Sequence, residues 1–189
     1  MFAIVEIEEF IRIPPNRFNE DPNNVALEQL KELYEGKISE ELGYVILVID
    51  AKVDPIGYVI ARDGASYHKV NCRLLTFYPK LQEVVEGEIV EILEFGSFVR
   101  IGPVDGFIHI SQIMDDFISY DEKHSMLIGK KTGKKLTVGD KVRAKIVALS
   151  FEKEGKIGLT TRQPLLGKIE WIKEETKEEK KEEIKKEEK

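Results

Sequence analysis

The stretch Glu86-Gly87-Glu88-Ile89-Val90-Glu91-Ile92-Leu93-Glu94-Phe95-Gly96-Ser97-Phe98-Val99-Arg100-Ile101 alternates apolar and acidic residues up to Phe95, breaks at a glycine, and alternates again from Phe98. This is the pattern of two strands reversing at Gly96. Phe95 and Phe98 flank the reversal, and period two places Arg100 on the same side of its strand as Phe98. Aromatic rings beside a cation on a sheet commonly hold single-stranded nucleic acid, with bases stacked on the rings and the cation meeting phosphate. Phenylalanines in strands also build cores, and the hairpin by itself permits either role.

Working outward, Gly102-Pro103-Val104-Asp105-Gly106 makes a tight turn into Phe107-Ile108-His109-Ile110-Ser111. Ile108 and Ile110 take the core side there, and Phe107, His109 and Ser111 the other. From Gln112 to Thr137 the periodicity dissolves, which predicts an insertion ending in the basic loop Lys130 to Lys135. Val138-Gly139-Asp140 opens a further strand with Val142, Ala144, Ile146 and Ala148 inward and Lys141, Arg143 and Lys145 outward. After Gly155 a last strand turns Ile157 and Leu159 inward, Lys156 and Thr160 outward. Five short strands with one long connection before the fourth predict an all-β, five-stranded Greek-key barrel of the OB type over residues 81–168.

Residues 1–80 read differently. Phe2 to Ile13 is a strand stopped by Pro14-Pro15. Asp21-Pro22 starts a helix whose apolar stripe is Ala26, Leu27, Leu30, Leu33 and Tyr34, and Gly36 stops it. Leu42 to Val53 reads as a strand buried on both faces and turned by Asp54-Pro55-Ile56-Gly57. Two more strands, Tyr58 to Ala61 and Tyr67 to Phe77, complete a β-α-β-β-β order, an α+β unit with an antiparallel sheet under one helix. Tyr78-Pro79-Lys80 is the expected boundary between the domains. Residues 169–189 are nearly all Glu and Lys and predict a charged tail that is frayed or unstructured.

The 189 residues carry a formal charge of -6, which argues against a protein that coats duplex DNA by bulk attraction. Acidic residues outnumber basic ones in residues 1–81 and in the tail but only balance them over residues 82–168, so a nucleic-acid surface is expected in the middle portion. The single cysteine, Cys72, rules out an internal disulfide and a Cys-built zinc site and fits a reducing, cytoplasmic setting. No signal segment opens the chain and no stretch approaches a membrane span, so no membrane association is expected.

The outward set on the predicted barrel is Phe98, Arg100, His109, Arg143, Lys145 and Lys156, with Phe95 at the hairpin end. Their expected convergence on one face points to single-stranded RNA or DNA. The bland alternative has Phe95 and Phe98 plugging a barrel end and the cations merely solvated. His109 either stacks on a base or hydrogen-bonds a loop. His68, His109 and His124 lack metal-ligand spacing, no phosphate-cradling glycine loop with its lysine occurs, and no serine sits in a nucleophile elbow. Asp115-Asp116 with Asp121 reads as a solvated acidic loop rather than a metal site. No cofactor, no metal and no catalytic activity are expected.

Gly87-Glu88-Ile89-Val90, Phe95-Gly96-Ser97-Phe98-Val99, Gly106-Phe107-Ile108-His109-Ile110-Ser111-Gln112-Ile113, Val138-Gly139-Asp140-Lys141-Val142 and Lys156-Ile157-Gly158-Leu159-Thr160 together resemble the S1 RNA-binding domain. The resemblance implies an RNA face formed by Phe95, Phe98, His109 and Lys156. Ser150 stands where the family often has an acidic residue, which implies that the usual RNA contacts are only partly retained.

Ile13-Pro14-Pro15, Tyr34-Glu35-Gly36, Gly64-Ala65-Ser66-Tyr67-His68, the insertion from Gln112 to Asp121 and Arg162-Gln163-Pro164-Leu165-Leu166-Gly167-Lys168 are similar to the larger stalk subunit of archaeal RNA polymerase, a relative of the seventh subunit of eukaryotic RNA polymerase II. That resemblance implies a truncated RNP-like N-terminal domain that docks on the polymerase core, expected through the loops Tyr34, Glu35, Gly36 and Gly64, Ala65, Ser66. It implies an S1 domain that receives emerging RNA, and a small helical partner subunit in a heterodimer. A free-standing S1 RNA-binding protein of translation or RNA decay is the competing expectation.

Overall fold

The computed structural model describes residues 1–151 and 155–174, which divide into two compact units, Met1–Pro79 with Phe151, and Lys80–Ser150 with residues 155 onward. The tail expectation is corrected at its start, where residues 169–174 are helical with Ile172 buried, and from residue 175 it falls outside the described residues.

The first unit comprises β1 (Phe2–Ile13), α1 (Pro22–Tyr34), β2 (Ile38–Ser39), β3 (Gly43–Val59) and β4 (Ser66–Phe77) in an antiparallel sheet of order β1-β4-β3-β2. Helix α1 begins where the Asp21 carboxylate accepts the Asn23 N–H at 3.0 Å, a cap worth about 1 kcal/mol, with Pro22 pre-set for the first turn. It buries Val25, Ala26 and Leu30 against Ile11, Val48, Val70 and Leu74 of the sheet. Leu30 is fully buried, so its truncation to Ala should cost about 2–5 kcal/mol. Leu33, expected in the apolar stripe, is exposed, because the helix meets the sheet along a narrower line than its apolar residues span.

Two strand expectations are corrected here. Asp54-Pro55-Ile56-Gly57 does not reverse the chain. It is a bulge inside one long strand, β3, whose register against β4 shifts between Val53 and Gly57. The His68 ring lies across Gly57 so closely that a Cβ there would stand 2.5 Å from ring carbon Cε1, and Nδ1 lies 2.9 Å from the Asp54 carbonyl. The apolar run of β3 is also not buried on both faces. Val45, Val48 and Ala51 face the helix, while Leu47 and Ile49 are exposed on the open side of the sheet with Phe2 and Ile4 of β1. One helix covers only one face.

The second unit comprises β5 (Val84–Leu93), β6 (Gly96–Arg100), β7 (Asp105–His109), β8 (Ile118–Asp121), β9 (Met126–Gly129), β10 (Lys135–Thr137), β11 (Lys141–Ser150), β12 (Lys156–Thr160) and β13 (Gly167–Lys168). The order β12-β7-β6-β5-β11, closed by pairing of β11 with β12, makes a five-stranded barrel of the OB type, with β13 added on β11. Ile89, Val99, Ile108, Ile146 and Leu159 fill its interior. The hairpin reverses at Glu94-Phe95 rather than at Gly96, since Leu93 pairs with Gly96. Ala148, expected inward, is exposed because a bulge between Ile146 and Ala148 flips the alternation. Thr160 lies on the outer side but is buried, its hydroxyl donating to Gln112 Oε1 at 2.8 Å.

The insertion is not the irregular segment its sequence predicts. Strands β8, β9 and β10 form a three-stranded antiparallel meander around the buried Leu127 and Leu136. Segments of three or four residues are too short to register an alternation.

Candidate nucleic-acid interface

Strand pairing dictates which outward side chains meet. Phe98 on β6 lies directly opposite Phe107 on β7, their ring centroids 5.2 Å apart, and Phe107 is also 5.8 Å from Phe95 in the preceding turn. The three rings form a row with Phe107 at its centre. Phe98 and Phe107 are half-buried and Phe95 is 56% exposed, so the row is a supported surface and not a barrel plug. On the far side of Phe107 the ladder places Gly158, which adds no side chain to obstruct a flat ligand. Phe107 did not stand out in the sequence as a ring of the platform, although it shares the outward side of β7 with His109.

One end of the row carries His109, which pairs across the ladder with Gly96. Its Nδ1 accepts the Ser111 backbone N–H at 3.3 Å and lies 2.8 Å from the Ser111 hydroxyl, which leaves Nε2 as the donor toward an outside group. At the other end stands Arg100, gripped by Asp105 through Nε at 2.9 Å and Nη2 at 3.1 Å. Lys156 is exposed on β12 two positions before Gly158. The expected departure at Ser150 falls beside it, since the two residues pair across β11 and β12.

The expected convergence of all the cations does not occur. Arg143 and Lys145 belong to β11, and β5 separates that strand from β6. The outer face of β5 is acidic: Glu88 pairs with Arg100 and Glu91 with Phe98, and Glu86 takes the Arg143 guanidinium at 2.8 Å. Side chains that share the outside of a barrel radiate rather than meet. The structure thus brings together Phe95, Phe98, Phe107 and His109, flanks them with Arg100 and Lys156, and places Arg143 and Lys145 on a strand that adjoins neither β6 nor β7, with Arg143 held by Glu86.

The acidic residues of the insertion are individually engaged. Asp115 pairs with Arg162, Asp121 with His124, and Asp116 accepts the backbone N–H groups of Lys131 and Thr132 at 2.8 Å each. Among the described residues no cluster of His, Cys, Asp or Glu is arranged for a metal ion.

The loops expected to dock lie at opposite ends of the first sheet. Tyr34 donates its hydroxyl to Glu9 at 2.6 Å, and burial pushes its pKa up to about 12. The Glu35 carboxylate accepts the Val48 N–H at 3.0 Å, and Gly36, at φ +72°, hydrogen-bonds the Val45 carbonyl. At the other end Ala65 is fully buried, Ser66 lies 3.2 Å from His68 Nε2, and Gly64 packs beside Pro15. Asp63 organises that loop by gripping Arg12, the Tyr67 hydroxyl and the Ala65 N–H.

A closed OB barrel bearing an aromatic row between a histidine and cations, carried with an α+β unit, defines a nucleic-acid-binding protein of the S1 class. Residues 78–162 match the S1 RNA binding domain, and residues 8–64 match the SHS2 domain found in the N terminus of Rpb7p and Rpc25p. The chain is 41% identical to DNA-directed RNA polymerase subunit Rpo7 of Saccharolobus shibatae over 91% of its own length and 97% of that protein. It is 40% identical to Rpo7 of Sulfolobus acidocaldarius over 93% and 97%, and 27% identical to DNA-directed RNA polymerase III subunit RPC8 of Bos taurus over 80% and 77%. The chain belongs to the Rpo7 family of RNA polymerase subunits.

Proposed function

We propose that this protein is a non-catalytic subunit of DNA-directed RNA polymerase that forms a stalk with a small helical partner, docks on the core enzyme, and holds emerging single-stranded RNA on its S1 barrel. The observation that carries the RNA role is the Phe98–Phe107–Phe95 row, because stacked bases need open ring faces and no particular sequence. The engagement of Asp115, Asp116 and Asp121 in separate contacts supports a role without catalysis, since phosphoryl transfer depends on carboxylates that position magnesium together.

Of the two loops expected to dock, the end bearing Gly64, Ala65 and Ser66 is the better supported. Ile56 is 80% and Val59 70% exposed in the adjoining bulge and hairpin of β3, whereas Tyr34 and Glu35 are committed to Glu9 and Val48. The open apolar side of the sheet, with Phe2, Ile4, Leu47 and Ile49, suits a permanent partner. A cytoplasmic setting follows from the archaeal polymerase reading. The test is purification of the tagged chain from its native cells. Core polymerase subunits and one small helical protein are expected with it, and an Ile56→Asp, Val59→Asp double variant should lose the core but keep the small protein. Ribosomal or RNA-decay components in place of polymerase overturn the reading.

A further inference from the structure

The outer face of β7 does not stop at His109. The chain turns there into a short 3-10 turn, Ile110–Gln112, and the Ser111 that holds His109 Nδ1 also forms one wall of an open groove of about 400 Å³. The other walls include Met114, Phe117, Lys131 and Arg162. Phe117 is 71% exposed, so its ring does not serve the core, and the Lys131 ammonium stands 5.5 Å from its centroid. Both carboxylates in the groove are already engaged. Asp115 pairs with Arg162. Asp116 accepts three backbone N–H groups, those of Thr132, Lys131 and Phe117, and the Thr132 hydroxyl at 2.9 Å, and these donors hold its carboxyl below the usual range. Asp116 therefore acts as the pin that fixes Lys131 over Phe117.

We propose that the RNA path continues from the barrel face past Ser111 into this groove, where Phe117 stacks a further base and Lys131 meets the adjoining phosphate. The inference rests on the RNA reading above and extends it from one face to a longer track. Three features favour RNA as the occupant. The groove is continuous with the aromatic row through His109 and Ser111. It repeats the same pairing of an open ring with a cation. Its negative charges are met by protein donors, so a phosphate does not face a bare carboxylate.

The test uses the whole protein and two labelled single-stranded RNAs, of about four and about twelve nucleotides, which bracket much of the range of OB-fold site sizes. Phe117→Ala should weaken the long RNA by roughly tenfold and leave the short one unchanged, and Phe117→Trp should restore the long one. Lys131→Gln should lower the salt slope for the long RNA alone by about 0.7. Phe98→Ala should weaken both lengths. Wild-type affinity of Phe117→Ala for the long RNA overturns the extended path, and so does equal weakening of both lengths. Failure of the wild-type protein to bind either length overturns the RNA reading itself, and the groove with it. Phe117 is an exposed side chain, and a circular dichroism spectrum identical to wild type confirms that each variant is folded.

Discussion

The Phe107 ring lies against the backbone of Gly96, so close that a Cβ at residue 96 would stand 2.6 Å from the ring Cζ and 2.2 Å from the Ile108 carbonyl oxygen. The glycine is therefore required by the close approach of the Ile108 carbonyl and the Phe107 ring and not by the hairpin turn, which closes one residue earlier. Gly96→Ala must displace either the ring or a ladder carbonyl. It should destabilise the second unit by at least about 1–3 kcal/mol and weaken RNA binding together with it. Thermal unfolding and fluorescence anisotropy measure the two effects, and a variant with wild-type melting temperature would show that the contact is not binding on the fold.

Phe98 and Phe107 are half-buried, so truncation of either should lower RNA affinity while the barrel remains folded. One lost base stack corresponds to roughly tenfold. If Phe107→Ala melts the barrel without affecting RNA bound by the remaining folded fraction, the ring is core and the row is not a platform.

The cations should separate by strand. Arg143 is paired with Glu86 and lies beyond the acidic face of β5, whereas Lys156 has no carboxylate partner among the described residues. Lys156→Gln should reduce the slope of log affinity against log salt by about 0.7, and Arg143→Gln should leave it unchanged. The opposite order would move the RNA to the other side of the barrel.

Acid should loosen the fold through depressed carboxylates. The Arg12 guanidinium, then the Tyr67 hydroxyl, hold Asp63 well below the usual carboxylate range, and the Thr132 and Lys131 N–H groups lower Asp116. As pH falls, the unfolded chain takes up these protons first, near pH 4, so the stabilisation is complete above about pH 5 and is lost progressively below about pH 4. The urea midpoint should be flat from neutral to mildly acidic pH and then fall, with a shallower fall in Asp63→Asn. A midpoint that rises on acidification contradicts this assignment.

Cys72 is buried in the first unit, and burial pushes its thiol up to about 11. A thiol-specific reagent at pH 8 should label it only as fast as the first unit opens, and rapidly in denaturant. Rapid labelling of native protein would mean that the sheet and helix separate easily.

Much of the fold is local in origin and was legible in the sequence. The cap at Asp21, the stop at Gly36, the alternation of β5 and β6 and the outward position of Phe98 depend on neighbours a few residues away. The misreadings share the opposite cause. Asp54-Pro55-Ile56-Gly57 has turn composition, yet pairing with β4, and the His68 ring across Gly57, hold it in a strand. Strands β8, β9 and β10 exist because they pair with one another, not because any one of them shows a period.

The sequence by itself determined two units of different class, because periodicity and turn chemistry are written within each segment. It also determined which residues face outward on β5, β6, β7 and β12. Which of those residues meet was decided only by tertiary structure. Closure of β11 on β12 and pairing of β11 with β5 join residues more than fifty positions apart in places, and no local pattern encodes that register. Through it the glutamates of β5 came to stand between Arg143 and the rings, whereas Phe107 came to stand beside Phe98 and Phe95 through the pairing of β7 with β6.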